Sequence, residues 1–529
     1  MTTWQRIPLD EIPAFDRLFD YVRHYAGTQP DAEACVDLGG RRVTYAGLAT
    51  EVEAMRASLI ASGVEPGDVV GLLAHPCLEF FSFFLAVAEM GAVFLGLNPK
   101  YTDEEIARIA DLAQPVRVFL PQELEGREFD EMSKELGSGR SSDVKITQYQ
   151  VGVLREALDR SQAQTGAVRT TPGSDAPCAL VFTSGSSGTP KGALLKQSGF
   201  VACSRTQAHH YGRRGARTFN ALPINHVGSL CDTATTLMIL GGCQIFTPFD
   251  TAKMVAAIGP ERIDTLGGVP TMLQLMVMEP AFQSADLTSL KRILWSGAPM
   301  PRALGRRLKQ LGLPMHNFYG MTETTGSIAF TEPDASFDDL VGTIGKPHRD
   351  YQVRIGDPST GQPLSTGETG EIQTKSPGVF HSYLGDEEAT QNAFTIDGWF
   401  KTGDLASQRE DGSLALAGRL KEMFKSGGYN VYPREVEAVL EGIDGVAVAA
   451  VVPVPDPTFH EVGYAFYVPA SAEAVGDAAL KQAASEKLAN YKIPKRFIPL
   501  LDPPLLPSGK IDKGALKDRG RAVAQGEAP

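Results

Sequence analysis

A chain of 529 residues is too long for one hydrophobic core, and at roughly 100–200 residues per domain it holds several units. Its composition is that of an ordinary water-soluble protein, 43% apolar and 21% charged. The 50 basic against 63 acidic residues leave a net charge of −13, which excludes a general binder of nucleic acid or of anionic membrane while leaving room for a local basic patch.

Six cysteines (Cys35, Cys77, Cys178, Cys203, Cys231, Cys243) are scattered without a CxxC pair and read as reduced thiols of a cytosolic enzyme. The opening MTTWQRIPLDEIPAFD has no apolar signal-peptide core, so a cytoplasmic location is expected. The greasiest stretch, 78–97, is interrupted by Glu79, Glu89 and Gly91; it reads as a core helix then a core strand, with no membrane span.

In chain order, helical spacing covers 15–25 and 45–62, the latter ended by Gly63 and Pro66. Strands are predicted at 68–74, 92–97 and 116–120, with a helix over 78–90. Thr102 with Glu105 forms a capping box that opens the next helix. Such alternation implies a largely parallel sheet covered by helices on both faces. Polar breaks follow at 136–143 and 169–177. Ser198 is a candidate cap for a helix running to about Tyr211. Between Gly342 and Gly418, short β-prone runs and frequent glycines predict a small all-β unit. Helix and strand return over 434–440 and 446–452, and 519–529 are expected to fray.

The central stretch is 178–195, CALVFTSGSSGTPKGALL. Its apolar start predicts a buried strand, which empties into Thr183, Ser184, Gly185, Ser186, Ser187, Gly188, Thr189, Pro190 and Lys191. Closely spaced N–H groups on a glycine-rich backbone make an anion nest, and Lys191 adds a point charge for outer phosphates. Gly192 stands where a Walker A loop has its magnesium-binding Ser or Thr, so a carboxylate for the metal must come from elsewhere. NFYGMTETTG (317–326) offers one: Tyr319 is a flat ring for a base, Thr322 a hydroxyl for a phosphate, and Glu323 a hard ligand for Mg²⁺. Upstream, the strand 292–295 ends in small residues, Ser296, Gly297, Ala298 and Pro299, at a crevice typical of open α/β sheets. Asp404, in WFKTGD, is a candidate acceptor for ribose hydroxyls in a glycine turn. Arg419 and Lys421 follow, then Gly427, Gly428 and Tyr429, and Lys510 on a Pro/Gly-bounded turn. Singly, each reads equally well as an ordinary surface turn.

In this order, over residues 15–516, these segments resemble the adenylate-forming superfamily of acyl-CoA synthetases, luciferases and peptide-synthetase adenylation domains. The chain is most like an AMP-forming carboxylic acid:CoA ligase. GVPTM (268–272), GETGEI (367–372) and GDEEAT (385–390) also fit the family's connecting segments. The resemblance implies an α/β fold: a large N-terminal domain (1–418) of two helix-covered sheets plus a small β-barrel-like unit, a hinge at 419–421, and a small mobile α+β C-terminal domain (422–529). It implies that the 183–191 loop holds the ATP β- and γ-phosphates and that Glu323 holds Mg²⁺. Gly297, Ala298, Pro299, Asn317, Phe318, Tyr319, Gly320 and Met321 then line the nucleotide, and Asp404 and Arg419 take the ribose. Lys421 is the hinge, Lys510 catalyses adenylation with Thr322 and His226 nearby, and the Gly427–Gly428–Tyr429 turn lines the CoA tunnel after the small domain rotates. Ser186–Ser187, Glu422 and Met423–Phe424 depart from the family pattern without touching this chemistry.

The implied reaction is attack of a carboxylate on the ATP α-phosphorus, loss of pyrophosphate, then thioester formation with CoA or, alternatively, with a carrier-protein phosphopantetheine. A nucleotide-binding protein without catalysis is the third reading, opposed by intact Lys510 and Glu323. His226, in LPINHVGSL, stands where amino-acid-activating relatives carry an aspartate, which argues against an amino acid. Gly268, Val269, Ser296, Gly320, Met321 and Gly326 are expected to wall a pocket for a bulky apolar acid: aromatic, alicyclic or medium-chain fatty. The expected partners are that small-molecule acid, ATP and CoA, with no nucleic acid and a homodimer as the candidate assembly. The adjacent His209 and His210 read as helix surface, with no acid or cysteine at metal-ligand spacing.

Overall fold

The computed structural model describes residues 5–138, 144–152, 154, 173–183, 190–470, 474–506 and 510–526. Two large sheets carry the first part of the chain. In the seven-stranded sheet, Pro177–Thr183, Val93–Leu97, Val69–Leu73, Arg117–Pro121 and Lys145–Tyr149 run parallel, and Lys191–Lys196 and Ser382–Tyr383 add an antiparallel edge. In the nine-stranded sheet, Met315–Gly320, Arg292–Trp295, Thr265–Gly268, Arg217–Asn220, Cys243–Phe246 and Glu33–Asp37 are parallel neighbours.

The helix Leu78–Met90 is buried along its whole length, which is why it has no polar face. Phe80 and Phe81 meet Phe246 of the nine-stranded sheet, while Phe83 meets Phe94 and Phe119 of the seven-stranded sheet. Each fully buried phenylalanine contributes roughly 1.5–3 kcal/mol, so this helix is the mortar between the sheets. Its two acids are compensated. Glu79 accepts from the Gly152 and Leu154 amides, and Glu89 pairs with Arg17 at 2.6 Å and Arg23 at 3.0 Å. Cys77 caps its start and Gly91, at φ +78°, ends it. The Thr102–Glu105 capping box is present as expected.

A four-stranded antiparallel sheet follows, built from Gln352–Gly356, Thr369–Lys375, Phe400–Gln408 and Leu414–Arg419. The stretch expected to be all β also holds a helix, Glu387–Asn392, capped by Asp386. The five-stranded sheet then begins at Phe424 and packs the helices Pro433–Leu440, Asp477–Ser485 and Lys513–Ala524.

Three local expectations are corrected. Residues 519–524 do not fray: Asp512 caps the last helix, Leu516 is buried, and Gly520 lets the helix approach Val454 closely. Ser198 is not a cap, since the helix Gln197–Tyr211 starts before it and its hydroxyl donates to Asp175. His210 is not helix surface; it is buried, stacks on Phe330 at 4.0 Å, and meets His348 Nδ1 at 2.9 Å through Nε2. Ligand atoms of His209, His210 and His348 lie within 4.8 Å of one another, a cluster invisible in sequence because His348 is remote. All six cysteines are free, and no described helix is long and apolar enough to cross a membrane.

Candidate active site

Four parallel strands of the nine-stranded sheet release their C-terminal ends side by side, delivering Leu222, Gly268, Ser296–Gly297 and Tyr319–Gly320 to one crevice. Open α/β sheets bind ligands at such ends. Two glycines are needed here. Gly297 turns at φ +79°, and a Cβ on Gly320 would lie 2.1 Å from the Gly326 carbonyl oxygen. Ala298 and Pro299 are half-buried beyond that turn.

Lys510 comes into this crevice from the C-terminal part of the chain. A Cβ built on Gly297 would lie 3.5 Å from Lys510 Cε and 3.9 Å from Nζ. The carbonyl of Lys510 accepts from the Leu506 amide at 2.7 Å, so its loop is closed by a backbone bond. Residues 507–509 lie outside the described residues. Burial pulls the Lys510 ammonium down to about 8; Arg419 pushes the same way, and Asp404 and Glu422 oppose it. His226 is held down at about 4 by burial and by Lys510, and its Nδ1 accepts from the Gly228 amide at 3.2 Å.

Asp404 is 4% exposed and sits within the strand Phe400–Gln408, beside Gly403, rather than in a free turn. Tyr319 donates its hydroxyl to Asp404 Oδ2 at 2.7 Å, and Arg419 Nε meets Oδ1 at 2.9 Å across paired strands. Burial and Asp404 together raise the Tyr319 phenol, and Asp404 raises Arg419. The next residues are clamped differently. Glu422 accepts from Lys513 at 2.8 Å, and Lys513 also pairs with Glu437 at 2.8 Å. Lys421, between these clamps, is exposed.

Glu323 sits in the short 3₁₀ turn Thr322–Thr324, where both it and Thr322 are buried. Its Oε1 accepts from the Tyr383 hydroxyl at 2.9 Å and from Thr183 Oγ1 at 3.4 Å. Lys191 Nζ lies 5.2 Å from the Tyr383 ring centre. Thr183 and Lys191 are paired across an antiparallel hairpin, so both ends of the predicted phosphate loop lie beside Glu323. Ser184, Gly185, Ser186, Ser187, Gly188 and Thr189 lie outside the described residues. The donor set of Glu323 and Thr183 is all hard oxygen and suits Mg²⁺.

Other expected residues fall elsewhere. Asn317 uses its side chain to bond the Thr343 carbonyl at 2.9 Å. Phe318 faces away from Tyr319 and stacks on Tyr211 at 4.7 Å, lining a neighbouring cavity instead of the crevice. Met321 anchors the 3₁₀ turn through its backbone. Gly427 and Gly428, at φ +57° and +88°, form the two-residue turn of an exposed hairpin, and Tyr429 is 62% exposed, stacked on Tyr491. Positive φ at both central residues is the type I′ geometry that favours glycine.

Next to the Lys510 seat, a cavity with an empty volume of about 790 Å³, open solvent included, runs along one face of the same strands. Gly268, Val269 and Ser296 line it as expected, whereas Gly320, Met321 and Gly326 do not. Its opposite wall is a π-helical stretch, Gly228–Thr235, continuing into Thr236–Ile239. The expectation of small or apolar walls fails at Asp232, Tyr211 and Arg292. Sequence reading missed these residues and Tyr383; the only available signal was Asp232's place as the single charge in its helical run.

The AMP-binding enzyme family profile matches residues 22–384, and that of its C-terminal domain matches 435–510. A feruloyl-CoA synthase from Amycolatopsis sp is 35% identical over 499 residues, covering 93% of this chain and 97% of that protein. An indoleacetate–CoA ligase from Aromatoleum aromaticum is 32% identical over 505 residues, covering 94% and 96%. The crystal structure of ATP-bound MatB from Rhodopseudomonas palustris superposes with a TM-score of 0.85 at 26% identity, over 96% of this chain and 100% of that one. The chain belongs to the AMP-binding enzyme family, the adenylate-forming superfamily, and within it is most like the AMP-forming carboxylic acid:CoA ligases.

Proposed function

We propose that this acyl-CoA synthetase activates a largely apolar carboxylic acid with ATP, releases pyrophosphate, and transfers the acyl group from the adenylate to CoA. The observation that carries the reading is Lys510 seated over Gly297, between the Asp404–Arg419–Tyr319 network and the cavity lined by Ser296 and Val269. A carboxylate attacking the α-phosphorus builds negative charge on the equatorial and leaving oxygens. Lys510, pre-placed and poor in water contact, can hold that charge without reorganising. Asp404 has one oxygen on Tyr319 and one on Arg419, which fixes it as an acceptor for ribose hydroxyls. His226 is held neutral beside Lys510 and so adds no second cation at the reacting carboxylate.

Glu323 and Thr183 are the residues that would hold Mg²⁺, which when bound neutralises charge on the triphosphate. The Thr183–Lys191 hairpin turn would receive the outer phosphates. We divide the chain at 1–418, 419–421 and 422–529. In this division the last unit presents Lys510 for adenylation, then turns to bring the Gly427–Gly428 hairpin to the site for thiol attack. Free CoA is the preferred acceptor over a carrier protein, because the feruloyl and indoleacetate relatives are named as a CoA synthase and a CoA ligase. Six free thiols fit a reducing, cytoplasmic setting. Incubating the enzyme with an acid panel, ATP and CoA and weighing the products tests the proposal. Acyl-CoA and AMP in equal amounts are expected; ADP, or no thioester with any acid, refutes it.

A further inference from the structure

The acid cavity is not uniformly apolar, and its polar groups have a direction. Along one strand it extends from Ser296, beside the Lys510 seat, to Arg292, four residues or about 13 Å. Asp232 faces into it from the π-helical wall, six residues after His226. Its Oδ1 accepts from Gln207 Nε2 at 2.5 Å, and Gln207 is itself fixed by Thr236 at 2.6 Å. Among the described residues, no hydrogen bond reaches the other carboxylate oxygen. Burial raises the Asp232 carboxyl to about 7, opposed only by Gln207. Tyr211 lines the same cavity, 4% exposed, and its hydroxyl is buried with no hydrogen-bond partner among the described residues. Arg292, by contrast, is engaged with Thr265 Oγ1 at 2.7 Å and with the Tyr211 carbonyl. The remaining lining is mostly apolar, with Phe219, Leu237, Met254 and Phe318 around the side-chain-free Gly267; the threonines among it, Thr218, Thr233, Thr236 and Thr265, already donate their hydroxyls within the protein. A Cβ on Gly267 would meet nothing within 4 Å, so the strand there leaves room for a ring.

Resting on the acid-activation reading above, we infer that Asp232 accepts a hydrogen bond from a donor carried by the acid at the end remote from its carboxyl. The substrate class is then an aryl or alicyclic carboxylic acid bearing a distal hydroxyl or ring N–H. A buried acceptor left unpaired by a donor-free acid costs more than the bond itself gains, so this contact discriminates strongly. Tyr211, whose phenol both donates and accepts, can serve either kind of donor as a second partner.

The test is pyrophosphate release by the full chain with paired acids: 4-hydroxycinnamate against cinnamate, and indole-3-acetate against 1-naphthylacetate. The wild type should prefer at least one donor-bearing acid over its partner by tenfold or more in kcat/KM. Asp232→Leu should collapse each such ratio to within threefold, with a thermal midpoint showing the variant folded. Should Asp232→Leu fail to fold, Asp232→Asn is read by the same ratio. Tyr211→Phe, which keeps the stack on Phe318 and the Asp232 acceptor, should leave each such ratio above threefold. Equal rates for both members of both pairs in the wild type, or ratios unmoved in a folded Asp232 variant, overturn the inference and leave acid activation standing. Release with no acid at all overturns acid activation as well.

Discussion

Lys510→Ala separates the two half-reactions, and the structure sets its size. The Lys510 ammonium lies at about 8 against an ordinary 10.5, so holding its charge in the closed site costs on the order of 3 kcal/mol. Below pH 8 both folded and unfolded chains carry the proton and the whole cost stands. Between 8 and 10.5 only the unfolded chain binds it, so stability rises with pH across that window. At pH 7 alanine removes this cost and loses only the packing of the stem on Gly297, so the thermal midpoint should not fall. Catalysis behaves oppositely. Removing one pre-placed group from a developing oxyanion costs roughly 2.7–4 kcal/mol, or 10²–10³ in rate. Pyrophosphate release from acid and ATP should drop by that factor, while thioester formation from supplied acyl-adenylate and CoA stays within about threefold. ATP-dependent activity within tenfold of wild type, or parallel loss of both half-reactions, refutes the role given to Lys510.

The free-enzyme profile, kcat/KM for ATP, should fall as pH rises through about 8 as Lys510 loses its proton, and His226→Ala should leave its shape between pH 6 and 8 unchanged, because His226 is already neutral there. With triphosphate bound, the same limb in kcat should move to higher pH; profiles from pH 6 to 10 check both. Tyr319→Phe deletes the 2.7 Å bond to buried Asp404, a charge-assisted contact of about 1.5–3 kcal/mol, so KM for ATP should rise about tenfold or more in steady-state assays. Glu323→Gln keeps an acceptor for Tyr383 but removes a charge. A magnesium titration should show at least tenfold more metal needed for half-maximal rate.

Segments with local chemistry were legible in the sequence. The Leu78–Met90 helix, the Thr102–Glu105 box and the strand into the 183–191 loop follow from spacing, caps and glycine placement alone. The convergence of Lys510, Asp404, Arg419 and Tyr319 followed from resemblance, since nothing local brings residues a hundred positions apart together. What escaped notice depends on tertiary partners. Tyr383 matters only because the edge strand Ser382–Tyr383 lays it against Glu323. Asp232 looks like an ordinary helical acid until the π-helical register turns it into the cavity. Residues 519–524 looked like a frayed end because their pattern is weak; burial of Leu516 and the close seat of Gly520 hold them.

Arg419 is tied to Asp404 on one side of the proposed division, and Glu422 is tied to Lys513 on the other. Only Leu420 and Lys421 lie between these anchors. If the last unit swings as proposed, nearly all of its rotation is concentrated in two pairs of backbone torsions, like a door on a single pin. Damage at those two positions would then present as slow alternation between half-reactions, each chemically sound, caused by residues that never meet a substrate.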